Sequence, residues 1–360
     1  MGKKKKIGLL TSGGDCQGLN AALRGVAKGL DNAFDEVEFY GFTDGYRGLI
    51  ECEYKTYEAN DFSGILTMGG TILGTSRQPY KQMRVIDENS VDKVAAMKRT
   101  YQKLGLDCLV ILGGNGTHKT ANLLSGEGLH IVTLPKTIDN DIYGTDLTFG
   151  FYSAVDIATH VIECIHTTAF SHSRVFIVEL MGHKAGWLTL YAGIGGGADV
   201  ILLPEIPYDI DRVAEAITRR NNNRNKFAIL AVAEGALSVE ESKMRKKEFK
   251  AARAAMAYPS VSYRLAAELE EKTGKEIRVT VPGHFQRGGS PNAYDRIFCS
   301  LLGAAAADLI AREQYGYMVG YVDNKFVPVP LSEVAGRLKL VPPDCQVVTE
   351  ARRLGISFGD

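Results

Sequence analysis

Three observations predict an α/β fold of two lobes with mainly parallel sheets. Short apolar runs alternate with helical stretches over most of the 360-residue chain, the pattern of strand–helix units whose strands lie parallel. Glycine-rich turns stand directly after two of those runs, at Thr11-Ser12-Gly13-Gly14-Asp15 and at Gly113-Gly114-Asn115-Gly116-Thr117. A polar loop with two aspartates, Pro135-Lys136-Thr137-Ile138-Asp139-Asn140-Asp141, follows a third run. In open α/β sheets ligands bind just outside the carboxyl ends of strands.

The elements follow in order. Ile7–Leu10 reads as the first strand, and the amphipathic stretch Leu19–Leu30 as the helix after it. Glu36–Tyr40 is the second strand, Cys108–Leu112 the third and Leu129–Leu134 the fourth. A second series comprises Val175–Val178, Val200–Leu203, Phe227–Val232 and Ile277–Val281, with helices such as Ala154–His166 and Val213–Arg220 between strands. The Asn-rich segment Arg219–Lys226 and the charged segment Glu240–Lys250 read as loops or exposed helix rather than domain linkers.

Composition narrows the class. The chain is 45% hydrophobic and 23% charged with a formal net charge of zero, so nothing global argues for nucleic acid or an anionic membrane. No apolar run approaches the roughly 20 residues of a membrane span. The residues after Met1 are charged and lead into a strand, so no signal peptide is expected, and Lys3–Lys6 reads as a solvated N-terminus. Cysteines 16, 52, 108, 164, 299 and 345 form no CxxC pair, which suits reduced thiols in a cytoplasmic setting. His160, His166 and His172 lack metal-ligand spacing.

The turns point to phosphate chemistry. Glycines let backbone N–H groups approach a phosphate, and the helix that follows adds positive partial charge. Gly69-Gly70-Thr71 with Gly74 and Arg77 supplies a third such turn with a cation. None fits the GxGxxG or Walker patterns, which disfavours a dinucleotide enzyme or a P-loop ATPase. Lys136, Thr137, Asp139 and Asp141 form the set that phosphoryl transfer needs: a carboxylate for a hydroxyl proton, another for a divalent metal, and a cation for phosphate charge. The second series carries Arg174, Met181-Gly182-His183-Lys184, Glu234, Arg278 and Gly283-His284-Phe285-Gln286-Arg287 at strand edges. Such cations suit a sugar phosphate, since Arg binds phosphate through paired N–H donors.

With these residues in view, the chain resembles the phosphofructokinase family over nearly its full length. The likeness is carried by the Thr11–Asp15 and Gly113–Thr117 turns, Pro135–Asp141, Val178–Trp187 and Gly283–Pro291. The resemblance implies transfer of a phosphoryl group to the 1-hydroxyl of fructose 6-phosphate, with Mg2+, in a cleft between two Rossmann-like lobes. It implies a donor lobe of residues 1–150 with about 285–336, and a sugar-phosphate lobe of residues 151–284 with about 337–360. By position, Asp139 is the implied general base, Thr137 binds the sugar or the moving phosphoryl group, and Asp141 helps hold the metal. Gly14, Arg77, Gly114, Asn115, Gly116, Thr117 and Lys136 are implied at the donor phosphates. Arg174, Arg278, His284 and Arg287 are implied at the sugar phosphate, and Met181, Gly182, His183 and Glu234 along the sugar pocket. Arg174 and Arg278 are expected to reach a neighbouring subunit, which implies a homodimer or homotetramer.

Three positions depart from the simple bacterial pattern. Asn115 stands where the turn usually has Asp as a metal partner, so it keeps an oxygen and loses the charge. His183 replaces the usual Arg beside the moving phosphoryl group. Lys136 is typical of the pyrophosphate-using branch and its ATP-using relatives. Pyrophosphate users commonly carry Asp at the Gly116 position, whose side chain would crowd and repel an α-phosphate. Gly leaves that space open, so ATP is the expected donor, with pyrophosphate as the alternative. The other readings are a kinase of the NAD or lipid type, a sensor without turnover, and sedoheptulose 7-phosphate as the sugar. Arg24 matches one position of the family's effector pocket, whose lysine-rich part is not reproduced, so weak or absent control by nucleoside diphosphate or phosphoenolpyruvate is expected.

Overall fold

The computed structural model describes residues 4–86, 92–222 and 227–360. Lys3 and residues 223–226 of the Asn-rich segment lie outside the described residues. The strands are β1 Lys5–Ser12, β2 Val37–Phe42, β3 Tyr54–Tyr57, β4 Cys108–Gly113, β5 Ile131–Pro135, β6 Val175–Leu180, β7 Val200–Leu202, β8 Ala228–Ala233, β9 Ile277–Thr280, β10 Tyr317–Val322 and β11 Lys325–Pro330. The chain divides into two compact units, one of Met1–Ser153 with Arg287–Lys339, the other of Ala154–Gln286 with Leu340–Asp360.

The first unit holds a sheet in the order β11-β10-β5-β4-β1-β2-β3. Its middle strands are parallel, and β3 and β11 close the two edges antiparallel. β1 and β4 are buried through most or all of their length, which is why they read as unbroken apolar runs rather than alternating ones. Leu10, Phe42, Leu109, Ile111 and Ile131 sit in the core beneath them. The helix Leu19–Ala33 packs on Ala293–Ala311 through small residues: a Cβ on Gly29 would fall 2.6 Å from that of Ala307.

Three strands went unread in the sequence. β3 is a short edge strand with three of its four residues exposed, so no apolar run marks it. β10 and β11 form a hairpin whose turn residues Asp323 and Asn324 have φ of 48° and 61°. Asp-Asn between alternating apolar residues is the available signal, since a two-residue hairpin turn of this hand needs positive φ at both positions.

The second unit holds a parallel sheet, β7-β8-β6-β9. β6 and β8 are wholly buried, above a core that includes Ile177, Leu230, Val213 and Leu265. The Asn-rich segment begins as the end of the helix Ile210–Asn222, and the charged segment forms two short helices, Val239–Lys243 and Lys246–Ala254. Glu241 is buried among these helices and closes a capping box with Ser238. Arg264 grips it with two bonds of 2.8 and 3.0 Å, and Arg253 adds one of 2.8 Å.

Burial alone would raise the Glu241 pKa, but the bonds from Arg264, the Ser238 side of the cap and Arg253 hold it down at about 2. Its contribution to stability is therefore complete above the ordinary carboxylate value of 4.5 and is lost as pH falls toward 2. Melting temperature is expected to fall more steeply between pH 5 and 2.5 in the native protein than in Glu241→Gln. Parallel slopes in calorimetry would contradict this.

All six cysteines are free. Among the described residues, no helix is long and apolar enough to cross a membrane.

Candidate phosphoryl-transfer site

The strand register brings the three sequence motifs of the first unit side by side. Ser12 on β1 pairs with Gly113 on β4, and Gly113 pairs with Pro135 on β5. The two glycine turns and the Lys136–Asp141 loop thus leave adjacent strand ends at one level. Helical connections leave β1 and β4 toward opposite sides of the sheet, which opens a crevice there, the usual ligand position of a doubly wound sheet.

A pocket of about 360 Å³ occupies this place. Of the residues singled out in the sequence, Gly14, Arg77, Gly114, Asn115, Gly116, Thr117, Lys136, Thr137, Asp139, Asp141 and Arg287 line it. Asp15, Gln78, Pro79 and Tyr80 also line it. No motif flagged Gln78, Pro79 or Tyr80, although each lies within three residues of Arg77.

Asn115, Gly116 and Thr117 open the helix Asn115–Gly126, with Gly114 as its N-cap. The first turn therefore presents N–H groups that no helical carbonyl satisfies. A Cβ on Gly113 would fall 2.3 Å from the Thr117 side chain, so only glycine permits this close turn. A Cβ on Gly116 would meet nothing within 4 Å. A Cβ on Gly14 would fall 1.8 Å from Arg287 Nη1: the guanidinium lies directly on the backbone of the first turn.

Lys136 is only 4% exposed, and its ammonium donates to the Gly14 carbonyl. Burial lowers its pKa, and Cys16, Asp139 and Asp15 oppose the shift while Arg287 adds to it. Buried His118, one turn into the helix, is held neutral by burial with a pKa of about 4. Thr137 Oγ1 accepts from Asp139 N at 3.1 Å, which sets the bend before the aspartates. Asn140, between the two aspartates, has φ of 51°. Its Oδ1 accepts from Thr148 N at 3.0 Å and its amide donates to Asp146 O at 3.3 Å. Asn tolerates this left-handed backbone better than most residues do.

Asn115 has a structural reason. Its Nδ2 donates to the carbonyl of Arg337, whereas an aspartate would have no hydrogen to give and would set a carboxylate against that carbonyl. Oδ1 is then the side-chain atom open to a metal. Among the described residues, no group of three or more His, Cys, Asp or Glu forms a metal cage. Magnesium needs none, since one or two carboxylates plus substrate phosphates suffice. Asp139, Asp141 and Asn115 in one pocket fit that donor set.

Residues passed over in the sequence hold the turns. Asn20 donates to Met68 O at 3.2 Å and accepts from Ile72 N at 2.9 Å, tying down the third glycine turn. Gln17 donates to Gly288 O at 2.7 Å. A Cβ on Gly69 would fall 2.1 Å from Gly289 O, so these two loops touch at the backbone. A polar residue on the apolar face of the helix Leu19–Ala33 is the signal for Asn20, whereas Gln17 precedes that helix and carries none.

The predicted residues of the second unit fall toward two ends of its sheet. Met181, Gly182, His183 and Glu234 do follow the carboxyl ends of β6 and β8, and His284 follows β9. Met181 N donates to Gln286 Oε1 at 3.2 Å, joining the first and last of these loops. Arg174 and Arg278 do not share that edge. Arg174 precedes β6, and Arg278 pairs with Phe176 near its start. At about 3.3 Å per residue, Phe176 lies roughly 17 Å and Arg174 roughly 23 Å from Met181 along the strand. Both arginines bind Glu276, Arg174 at 2.7 Å. The sequence sets Arg174 before its strand and Met181–Lys184 after it, and register adds that Arg278 lies toward the Arg174 end.

The arrangement can hold a polyphosphate by backbone N–H groups, buried Lys136 and the arginines Arg77 and Arg287 beside two carboxylates, the working parts of a phosphoryl-transfer protein on an α/β scaffold. Comparison with known proteins agrees. The model of the Phosphofructokinase family matches residues 6–310, and the chain belongs to that family. It is 53% identical over 359 residues to an ATP-dependent 6-phosphofructokinase of Spirochaeta thermophila, covering 99% of this chain and 98% of that protein. It is 45% identical over 372 residues to an ATP-dependent 6-phosphofructokinase of Propionibacterium freudenreichii subsp. shermanii, covering 99% of each. Among solved structures, phosphofructokinase from Saccharomyces cerevisiae matches with a TM-score of 0.79 and 32% identity over 92% of this chain. The chain spans 45% of that yeast chain.

Proposed function

We propose that the protein is an ATP-dependent 6-phosphofructokinase that converts fructose 6-phosphate and MgATP to fructose 1,6-bisphosphate and ADP, a step of glycolysis in the cytoplasm. The observation that carries this reading is the register Ser12–Gly113–Pro135, which sets two phosphate-type turns and the Asp139 loop around one pocket. Near-full-length identity to enzymes of that name supports it.

The roles follow from chemistry. The Asp139 carboxylate takes the proton of the sugar 1-hydroxyl as its oxygen forms a bond to the γ-phosphorus, and the bond from that phosphorus to the β-bridging oxygen breaks. Thr137 orients the hydroxyl. Lys136, Arg77, Gly14 and the N–H groups of Gly114, Asn115, Gly116 and Thr117 neutralise and hold the donor phosphates. Asp141 and Asn115 Oδ1 would hold Mg2+, which when bound would screen phosphate charge. Arg287, His284, Met181, Gly182, His183 and Glu234 bind fructose 6-phosphate. Arg174 and Arg278, remote from Met181 along β6, serve the sugar phosphate of a neighbouring copy in a homodimer or homotetramer.

ATP is preferred to pyrophosphate because the space at Gly116 is open. Parallel assays of fructose 1,6-bisphosphate formation with each donor test the reading. Turnover is expected with ATP. A much higher rate with pyrophosphate would overturn the donor, and no product with either would overturn the activity.

A further inference from the structure

One segment of the first unit lies against both working loops of the pocket, and no motif marks it. Gly336, with φ of 90°, turns the chain after the helix Leu331–Val334. The Arg337 carbonyl then accepts the Asn115 amide, and its guanidinium lies 3.5 Å from the centre of the Tyr143 ring. Leu338 forms an antiparallel bridge with Ile142, and Lys339 N donates to Asp141 O at 2.9 Å.

The Lys339 ammonium completes the strap. It donates to Asn140 Oδ1 at 3.0 Å, Thr145 O at 2.9 Å and Asp146 O at 2.7 Å. Three acceptors match the three hydrogens of an ammonium group. One of them belongs to Asn140, the residue between Asp139 and Asp141. The other two close the loop that returns to Thr148, and Thr148 itself bonds Asn140.

We propose that Lys339 is a positioning residue for phosphoryl transfer: by clamping Asn140 and the Thr145–Asp146 carbonyls it aims the carboxylates of Asp139 and Asp141 while lying outside the residues that line the pocket. The inference rests on the proposed reaction. Its energetic logic is that of preorganisation, where a displacement of about 1 Å at a reacting group can cost about 10²-fold in rate.

The test is steady-state kinetics of the full-length protein with fructose 6-phosphate and MgATP. Native turnover comes first, because its absence would defeat the proposed function and not this inference. Lys339→Met is expected to lower kcat about tenfold or more, with KM for both substrates within about threefold of native. Lys339→Arg, which keeps the cation and its donors, is expected to recover most of the loss. A Lys339→Met enzyme with kcat within twofold of native, or with its loss in KM, overturns the proposal. Should Lys339→Met fail to fold, Lys339→Gln replaces it, offering two amide hydrogens to three acceptors. A severalfold lower kcat at native KM then supports the proposal, and a native kcat overturns it.

Discussion

Asp139→Ala is expected to lower kcat by about 10²-fold or more, with KM for fructose 6-phosphate and ATP changed only a few-fold. General-base removal acts on the chemical step, and its usual cost is about 10²–10⁴ in rate. The local fold should survive the change. The turn at this position is set by the Asp139 backbone N–H on Thr137 Oγ1 and by the bonds of Asn140 to Thr148 and Asp146. None of these uses the Asp139 carboxylate. The measurement is a full kinetic comparison beside a melting curve. A folded variant with kcat within a few-fold of native would assign the base elsewhere, and Asp141, on the same pocket, would be the next residue to replace.

Gly116→Asp is expected to reduce kcat/KM with ATP by about 10²-fold or more and to leave the protein as stable as before. Beyond its own helical turn no atom lies within 4 Å of the position where a Cβ would be added, so the change adds no steric strain. Gly116 lies in the first turn of its helix, where a carboxylate is favoured by the helix dipole. The same carboxylate would face the donor. Two unit charges about 4 Å apart repel by about 4 kcal/mol at an effective dielectric constant of about 20, and a tenfold change costs about 1.4 kcal/mol. Pyrophosphate has no α-phosphate to be repelled, so activity with it should not fall in parallel. Equal losses with both donors, or an ATP value within fivefold of native, would show that position 116 does not select the donor.

Much of the first unit's pocket was legible in the sequence because its signals are local. A glycine turn between an apolar run and a helix is written within a few consecutive residues, and parallel strands place such turns at one edge of the sheet. Gly14, Gly114, Asn115, Gly116, Thr117, Lys136, Thr137, Asp139 and Asp141 could be named for that reason, and the structure sets them on one pocket. Arg287 needed more. Its place in a glycine-rich string was visible, but its seat on the Gly14 backbone joins positions far apart in the chain. In the second unit, Arg174 precedes and Met181 follows one apolar run, which is legible locally, whereas the place of Arg278 near the Arg174 end of β6 follows only from strand register.

By itself, then, the sequence determined the alternation of strand and helix, the phosphate-type turns and the aspartate loop, since hydrophobic period and turn chemistry act between near neighbours. Tertiary structure alone decided which strand ends meet, why position 115 carries an amide, and that Lys339 holds a loop almost two hundred residues before it. Those outcomes depend on hydrogen-bond partners brought together by sheet order and chain return, and no local pattern encodes the identity of a partner so distant along the chain.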